Sequence, residues 1–206
     1  MIVYHGSFTE VKNPSNKIGR IDIDFGQGFY TTEDKHMAEK WAAGKGTSVN
    51  NIYDLDLKGL NVVTLGLTKQ WLDFVAYNRG FSNRSFDTKN IDVIIGPTAD
   101  DRMFNTISAY LDGVLSVDKA IKYLNVVGYS NQIVLKSDKA LQNISFIKSV
   151  EIKGQQKNFL RNQILYDRKV ATQGLKELMN VDRREANTKR LISDENSYQQ
   201  DDNYDR

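Results

Sequence analysis

The stretch DFGQGFYTT, Asp24 to Thr32, restricts the fold of this chain more than any other. Gly26 and Gly28 permit backbone dihedrals that other residues resist, and they let a second group approach the main chain closely. Phe29 and Tyr30 follow at once. In a strand, neighbouring side chains point to opposite faces, so one aromatic enters a core and the other faces a cleft. Thr31 and Thr32 are β-branched and favour the same extended state. After them the period changes. Asp34, Met37, Ala38 and Trp41 fall at helical spacing, with a cap from the Thr32–Asp34 region. The unit is a glycine turn, an aromatic strand and a helix. It is not a Walker phosphate loop, because no Gly-Lys-Ser/Thr follows.

A second short piece belongs with it. The chain begins MIVYHGS, an apolar run that reads as a strand delivering His5, Gly6 and Ser7 at its end. Between the two pieces lie Pro14, Ser15, Asn16 and Gly19, the chemistry of turns, so a loop returns over the surface. Arg20 and Asp22 sit on that loop. A solvated loop accounts for them; the alternative is that Arg20 faces a pyrophosphate.

Downstream, hydrophobic period alternates between strand and helix. NIYDLDL from Asn51 reads as a half-buried strand broken at Gly59, with a second short strand over Asn61 to Leu65. Thr68 caps a helix carrying Trp71, Leu72, Phe74 and Val75, and Gly80 stands past its end. Ile91 to Pro97 is a buried strand stopped by Gly96-Pro97. Asp100 or Asp101 caps a helix to Leu111, and Ser116 another to Leu124. Tyr129 to Leu135 is a strand, Ser137 to Leu141 a helical turn, and Ile144 to Ile152 a last strand. Beyond Gly154, Phe159, Leu160, Ile164, Leu165, Leu175, Leu178 and Met179 are helically spaced, which predicts one or two helices with a break near Gly174. From Asp182 the chain turns polar and reads as a flexible tail. Three segments result: a domain over 1–153, a helical extension over 154–181 and the tail over 182–206.

Composition excludes several chemistries. No cysteine is present, which removes disulfides and thiolates and permits a cytoplasmic setting. Two histidines, His5 and His36, make a zinc site an unpromising reading, and no metal is expected. No apolar run approaches the roughly 20 residues of a membrane helix, and the start lacks a signal peptide's basic and apolar regions. A net charge of +2 gives no whole-chain case for nucleic acid; only Arg183, Arg184, Lys189 and Arg190 hint at it.

His-Gly-Ser on a first strand, Gly-x-Gly-Phe-Tyr-x-Thr about twenty residues on, and an aromatic on the following helix resemble the ADP-ribosyltransferase fold of the poly(ADP-ribose) polymerase and diphtheria-toxin branch. The layout also resembles a bacterial family of uncharacterised domains distantly related to those transferases. The resemblance covers roughly residues 1–150. It implies an α+β fold with a split, mostly antiparallel sheet, flanking helices and a C-terminal helical extension. It implies NAD as co-substrate, bound by a His-Tyr-Glu triad. His5 and Gly6 match the first element and would hold the ribose and the carboxamide. Tyr30 matches the second and would stack on nicotinamide, with Trp41 as the second aromatic face. Ser7, Gly28 and Thr31 complete the expected cofactor contacts. Gln132 stands where the glutamate is expected, with Asn131 one register away.

This departure limits the chemistry that the resemblance implies. An amide accepts a hydrogen bond from a ribose hydroxyl but is no base, and Ala38 replaces a serine that the polymerases place on the helix. Polymer elongation is therefore not expected. Mono-ADP-ribosyl transfer to protein or nucleic acid, NAD hydrolysis, and binding by a catalytically inactive interaction module remain the three open readings. The acceptor and the setting, toxin-like or otherwise, are not encoded in any motif found.

Overall fold

The computed structural model describes residues 1–44, 46–83, 86–99, 104–124 and 130–201. In chain order the elements are β1 (Ile2–Ser7), β2 (Phe29–Thr31), α1 (Lys35–Ala42), β3 (Val49–Leu55), β4 (Val62–Thr64), α2 (Lys69–Asn78), β5 (Val93–Pro97), α3 (Phe104–Leu111), α4 (Val117–Leu124), β6 (Asn131–Leu135), α5 (Asp138–Gln142), β7 (Ile144–Glu151) and α6 (Gly154–Asp201). The caps foreseen for α1 and α2 are present. Asp34 accepts from the Met37 amide at 3.0 Å, and Thr68 from that of Trp71 at 3.4 Å, satisfying donors that a helix start leaves orphaned. Gly80 follows α2 at φ 78°, the left-handed conformation that ends helices. Ser137 caps α5 in the same way as Thr68 caps α2. Asp100 and Asp101 lie outside the described residues.

The strands form two sheets, one ordered β1-β3-β7 and one β2-β6-β5-β4. Every pairing is antiparallel except β4 with β5, whose connection runs through α2. The fold is α+β with a split, mostly antiparallel core. The two sheets join at one place. Tyr4 and Thr32 exchange both main-chain bonds, at 2.8 and 3.0 Å, and beyond this bridge β1 and β2 part. Between the sheets, Val3, Phe29, Tyr53, Leu55, Val93, Ile133 and Leu135 make one apolar layer. On the far face of the second sheet, Phe25, Trp71, Leu72, Val75, Ile94, Ile107 and Val134 make another. The indole N–H of Trp71 donates to the Pro97 carbonyl at 3.0 Å, so its burial leaves no orphaned donor.

Gly6 sets how closely α1 lies on β1. A Cβ at this position would stand 1.9 Å from the Ala38 carbonyl oxygen and 2.8 Å from the Ala42 nitrogen, both main-chain atoms that cannot rotate away. Ala38 and Ala42 are themselves small and buried, so strand and helix meet backbone to backbone.

The C-terminal region departs from its sequence reading in secondary structure. α6 is one helix of 48 residues, unbroken at Gly174 and continuous past Asp182. One glycine costs a helix only about 1 kcal/mol, and the neighbouring Gln, Leu, Lys and Glu are good helix formers. A polar composition argues against burial, not against helix. Leu160 packs on Ala42, Ala43 and Ile152, and Asp182 accepts from the Tyr123 hydroxyl at 2.5 Å.

Gly6→Ala is expected to destabilise the chain by about 3 kcal/mol, because the helix must move off the strand. Urea unfolding against the parent chain checks this; a difference below about 0.5 kcal/mol would show that α1 has room to shift.

Candidate functional site

Where β1 and β2 diverge, a cleft of about 650 Å³ opens. Its size suits a nucleotide-sized ligand. The end of β1 supplies His5, Gly6 and Ser7; the glycine turn and β2 supply Gly28, Phe29 and Tyr30; the end of α1 supplies Trp41 and Ala42. The loop from 8 to 28 covers one side with Phe8, Val11, Asn13, Ile18 and Arg20. A smaller cavity of about 90 Å³ between Val63, Phe74 and Phe86 is too tight for such a ligand.

His5 is anchored by its neighbours. Its Nδ1 lies 2.7 Å from the Tyr30 carbonyl oxygen. A carbonyl only accepts, so Nδ1 carries the proton and donates. Burial pushes the imidazole pKa below its ordinary value against the opposing pull of that bond, which holds the ring neutral. Nε2 is then an acceptor. The ring stacks on Phe29 with centroids 4.5 Å apart.

Main-chain geometry gives Gly6 a second role. Residues of an antiparallel strand direct their N–H and C=O to alternate edges. Tyr4 points both at Thr32, so Gly6, two residues on, points both toward the same edge, where β2 no longer runs and the cleft begins. The turn before β2 is equally constrained. Gly26 has φ 69°, and a Cβ there would lie 2.6 Å from Asn78 Oδ1. At Gly28 a Cβ would meet Val134 at 2.6 Å and the Leu135 carbonyl at 3.0 Å. Lys136 donates to the carbonyl of Phe25 at 2.6 Å and to that of Gln27, and burial pushes its ammonium pKa down to about 8. The Tyr30 hydroxyl closes the turn, donating to Gly26 at 2.7 Å and accepting from the Phe25 amide at 3.1 Å. Burial raises its pKa, so the phenol stays protonated.

The cleft thus gathers His5, Gly6, Ser7, Gly28, Tyr30 and Trp41. It does not gather Thr31 or Gln132. Thr31 is fully buried on the other face of β2, and its hydroxyl donates to the Ile133 carbonyl at 2.9 Å. Gln132 is buried as well. Its amide nitrogen donates to Asp24 Oδ2 at 2.9 Å and approaches the Pro97 carbonyl at 3.4 Å. Asp24 also accepts from the Ala99 amide at 2.7 Å and from both Nε and Nη2 of Arg79. No carboxylate lines the cleft among the described residues, and Arg20 is its one charged side chain there. Arg20 donates to Asp22 at 3.2 Å, a surface pair that water weakens. The described residues contain no cluster of metal-ligating side chains, and no described helix is long and apolar enough to cross a membrane.

Sequence reasoning missed Asn51. Fully buried on β3, it donates to the His5 carbonyl, Ser7 Oγ and the Thr9 carbonyl and accepts from the Val11 amide, shaping the first turn of the covering loop. Tyr53 adds a bond to the Val11 carbonyl at 2.6 Å. The available signal was two adjacent asparagines inside a strand, where this residue is depleted.

Residues 1–146 match the family described as Protein of unknown function (DUF3990), and the chain belongs to that family. Neither a curated protein nor a solved structure matches it.

Two outcomes follow from these contacts. Because the folded pKa of His5 is depressed, its contribution is present above the unfolded value of about 6.5 and is lost as pH falls through the folded value. Melting temperature should drop between pH 7 and 5, and His5→Gln should flatten that profile; an unchanged profile would deny the neutral, buried ring. Gln132→Glu sets a second carboxylate against Asp24, a cost of about 3 kcal/mol at pH 8. The new carboxyl's folded pKa is raised, so stability is retained below its unfolded value and lost as pH rises through the folded one. Urea unfolding at pH 5 and 8 should show the smaller deficit at pH 5.

Proposed function

We propose that the cleft binds NAD and that the chain is an ADP-ribosyltransferase-type protein, transferring a single ADP-ribose to a macromolecular acceptor or hydrolysing NAD. The observation that carries this reading is the convergence of His5, Gly6, Tyr30 and Trp41, from three separate elements, on one nucleotide-sized cleft. Each has chemistry suited to one part of the ligand. The outward N–H and C=O of Gly6 complement a carboxamide, which offers one acceptor and one donor pair. Nε2 of His5, an acceptor, suits a ribose hydroxyl. Tyr30 and Trp41 offer aromatic surface to a cationic pyridinium, a contact worth about 1–2 kcal/mol when desolvated. Arg20 suits the pyrophosphate.

Cleavage then needs little covalent machinery. The bond from nicotinamide to the ribose anomeric carbon breaks, nicotinamide leaves with the electron pair as a neutral molecule, and the acceptor or water adds to the cationic sugar and gives up one proton to solvent. Positioning and electrostatic stabilisation do most of this work. One observation favours a second reading, a binding module without turnover. Gln132 is committed to Asp24 and Pro97, and among the described residues no carboxylate lines the cleft to stabilise the developing sugar cation.

Titration calorimetry with NAD, followed by a nicotinamide-release assay, tests both. Binding is expected in the parent chain and lost by at least about tenfold in Tyr30→Ala. Release of nicotinamide supports transfer or hydrolysis; binding without release supports the module. An absence of NAD binding in the folded parent chain would overturn both readings.

A further inference from the structure

The cleft's α1 wall is held from outside the family-matching segment. α1 ends at Ala42, and the turn after it, with Gly44 and Thr47, lines the cleft beside Trp41. A helix end leaves carbonyls without partners. Here α6 supplies them. Arg161 donates through Nε to the Ala43 carbonyl at 3.2 Å and through Nη2 to that of Gly44 at 2.5 Å. Lys157 donates to the Gly46 carbonyl. In the reverse direction, Lys40 of α1 reaches Asp167 of α6 at 2.7 Å. A guanidinium at a helix C-terminus also meets the negative end of the helix dipole.

The apolar part of this seam is small: Leu160 with Ala42, Ala43 and Ile152, and Ile164 beside them. Gly6, Ala38 and Ala42 seat α1 on β1, and the charged contacts tie the turn after it to α6. The matched family region ends at 146, whereas α6 begins at Gly154.

We propose that Arg161 is a positioning residue for the cleft, acting through the turn after α1 that it holds. No described residue of α6 lines the cleft itself, so Arg161 acts on it through Ala43 and Gly44. By linkage, a ligand that prefers the seated wall also tightens the seat. The ligand arm of the test rests on the NAD reading; the structural arm does not.

The chain's two tryptophans allow a direct readout, since Trp41 is 37% exposed and Trp71 only 1%. Acrylamide quenching therefore reports mainly on Trp41 at the end of α1. In the full chain, Arg161→Ala should raise quenching and weaken NAD binding about tenfold, the worth of one charge-assisted hydrogen bond. Arg161→Lys should restore much of both. Lys176→Ala, on an exposed part of α6, should match the parent chain. Parent-level quenching in Arg161→Ala, or an equal effect from Lys176→Ala, would overturn the proposal. If the parent chain binds no NAD, the NAD reading fails, and the quenching comparison alone decides this one.

Discussion

The carboxylate of Asp24 is buried and accepts four hydrogen bonds, from Nε and Nη2 of Arg79, the Ala99 amide and the Gln132 amide nitrogen. A charge removed from water is tolerated only when its lone pairs are met in this way. Those donors come from the end of α2, the segment after β5, and β6. The residue they converge on opens the glycine turn. Its own main-chain carbonyl is held by Asn78 at 3.1 Å. One carboxylate thus fixes the floor from which Phe25, Gly26 and Gly28 present β2 to the cleft. Loss of any one donor leaves a buried charge short of a partner, so these residues behave as a unit.

From that floor the geometry of the cleft follows in steps. The turn is sealed by Tyr30 and Lys136, and β2 then runs to the Tyr4–Thr32 bridge. The bridge fixes β1 against β2 for one residue pair and no more. Past it the sheets part: the Tyr30 carbonyl accepts from His5 Nδ1, and the main chain of Gly6 turns toward the cleft. Gly6 serves on both sides of this arrangement. Its missing side chain admits α1, and its main chain faces the cleft. Substitution there disturbs both the fold and the site.

The same physics accounts for what the cleft lacks. β6 runs antiparallel to β2, with Tyr30 opposite Val134, so Gln132 shares a sheet face with Tyr30. Sharing a face does not bring a side chain to the ligand. Asp24 stands within reach and draws the amide inward. Among the described residues, the cleft offers neutral hydrogen-bonding groups, aromatic faces and Arg20.

Local structure ahead of α6 was legible in the residues alone. Caps at Asp34 and Thr68, the stop at Gly96-Pro97 and the two-to-3.6 changes of period are short-range effects, so most elements before α6 were readable without the fold. The α+β class followed from their order. His5, Gly6, Ser7, Gly28, Tyr30 and Trp41 of the cleft stand in the motifs at the start of the chain and were legible there, whereas the wall from the covering loop was not. The remaining features depend on contacts between distant parts of the chain. Whether Thr31 or Tyr30 faces the cleft depends on strand register, and register depends on partners about a hundred residues away. The commitment of Gln132 to Asp24 joins residues separated by 108 positions. The reach of Asn51 into the covering loop and of Arg161 to the end of α1 likewise spans long separations. Sequence pattern records which residues are apolar and at what period. It does not record which buried polar groups satisfy one another, because that choice is made by packing across the whole chain.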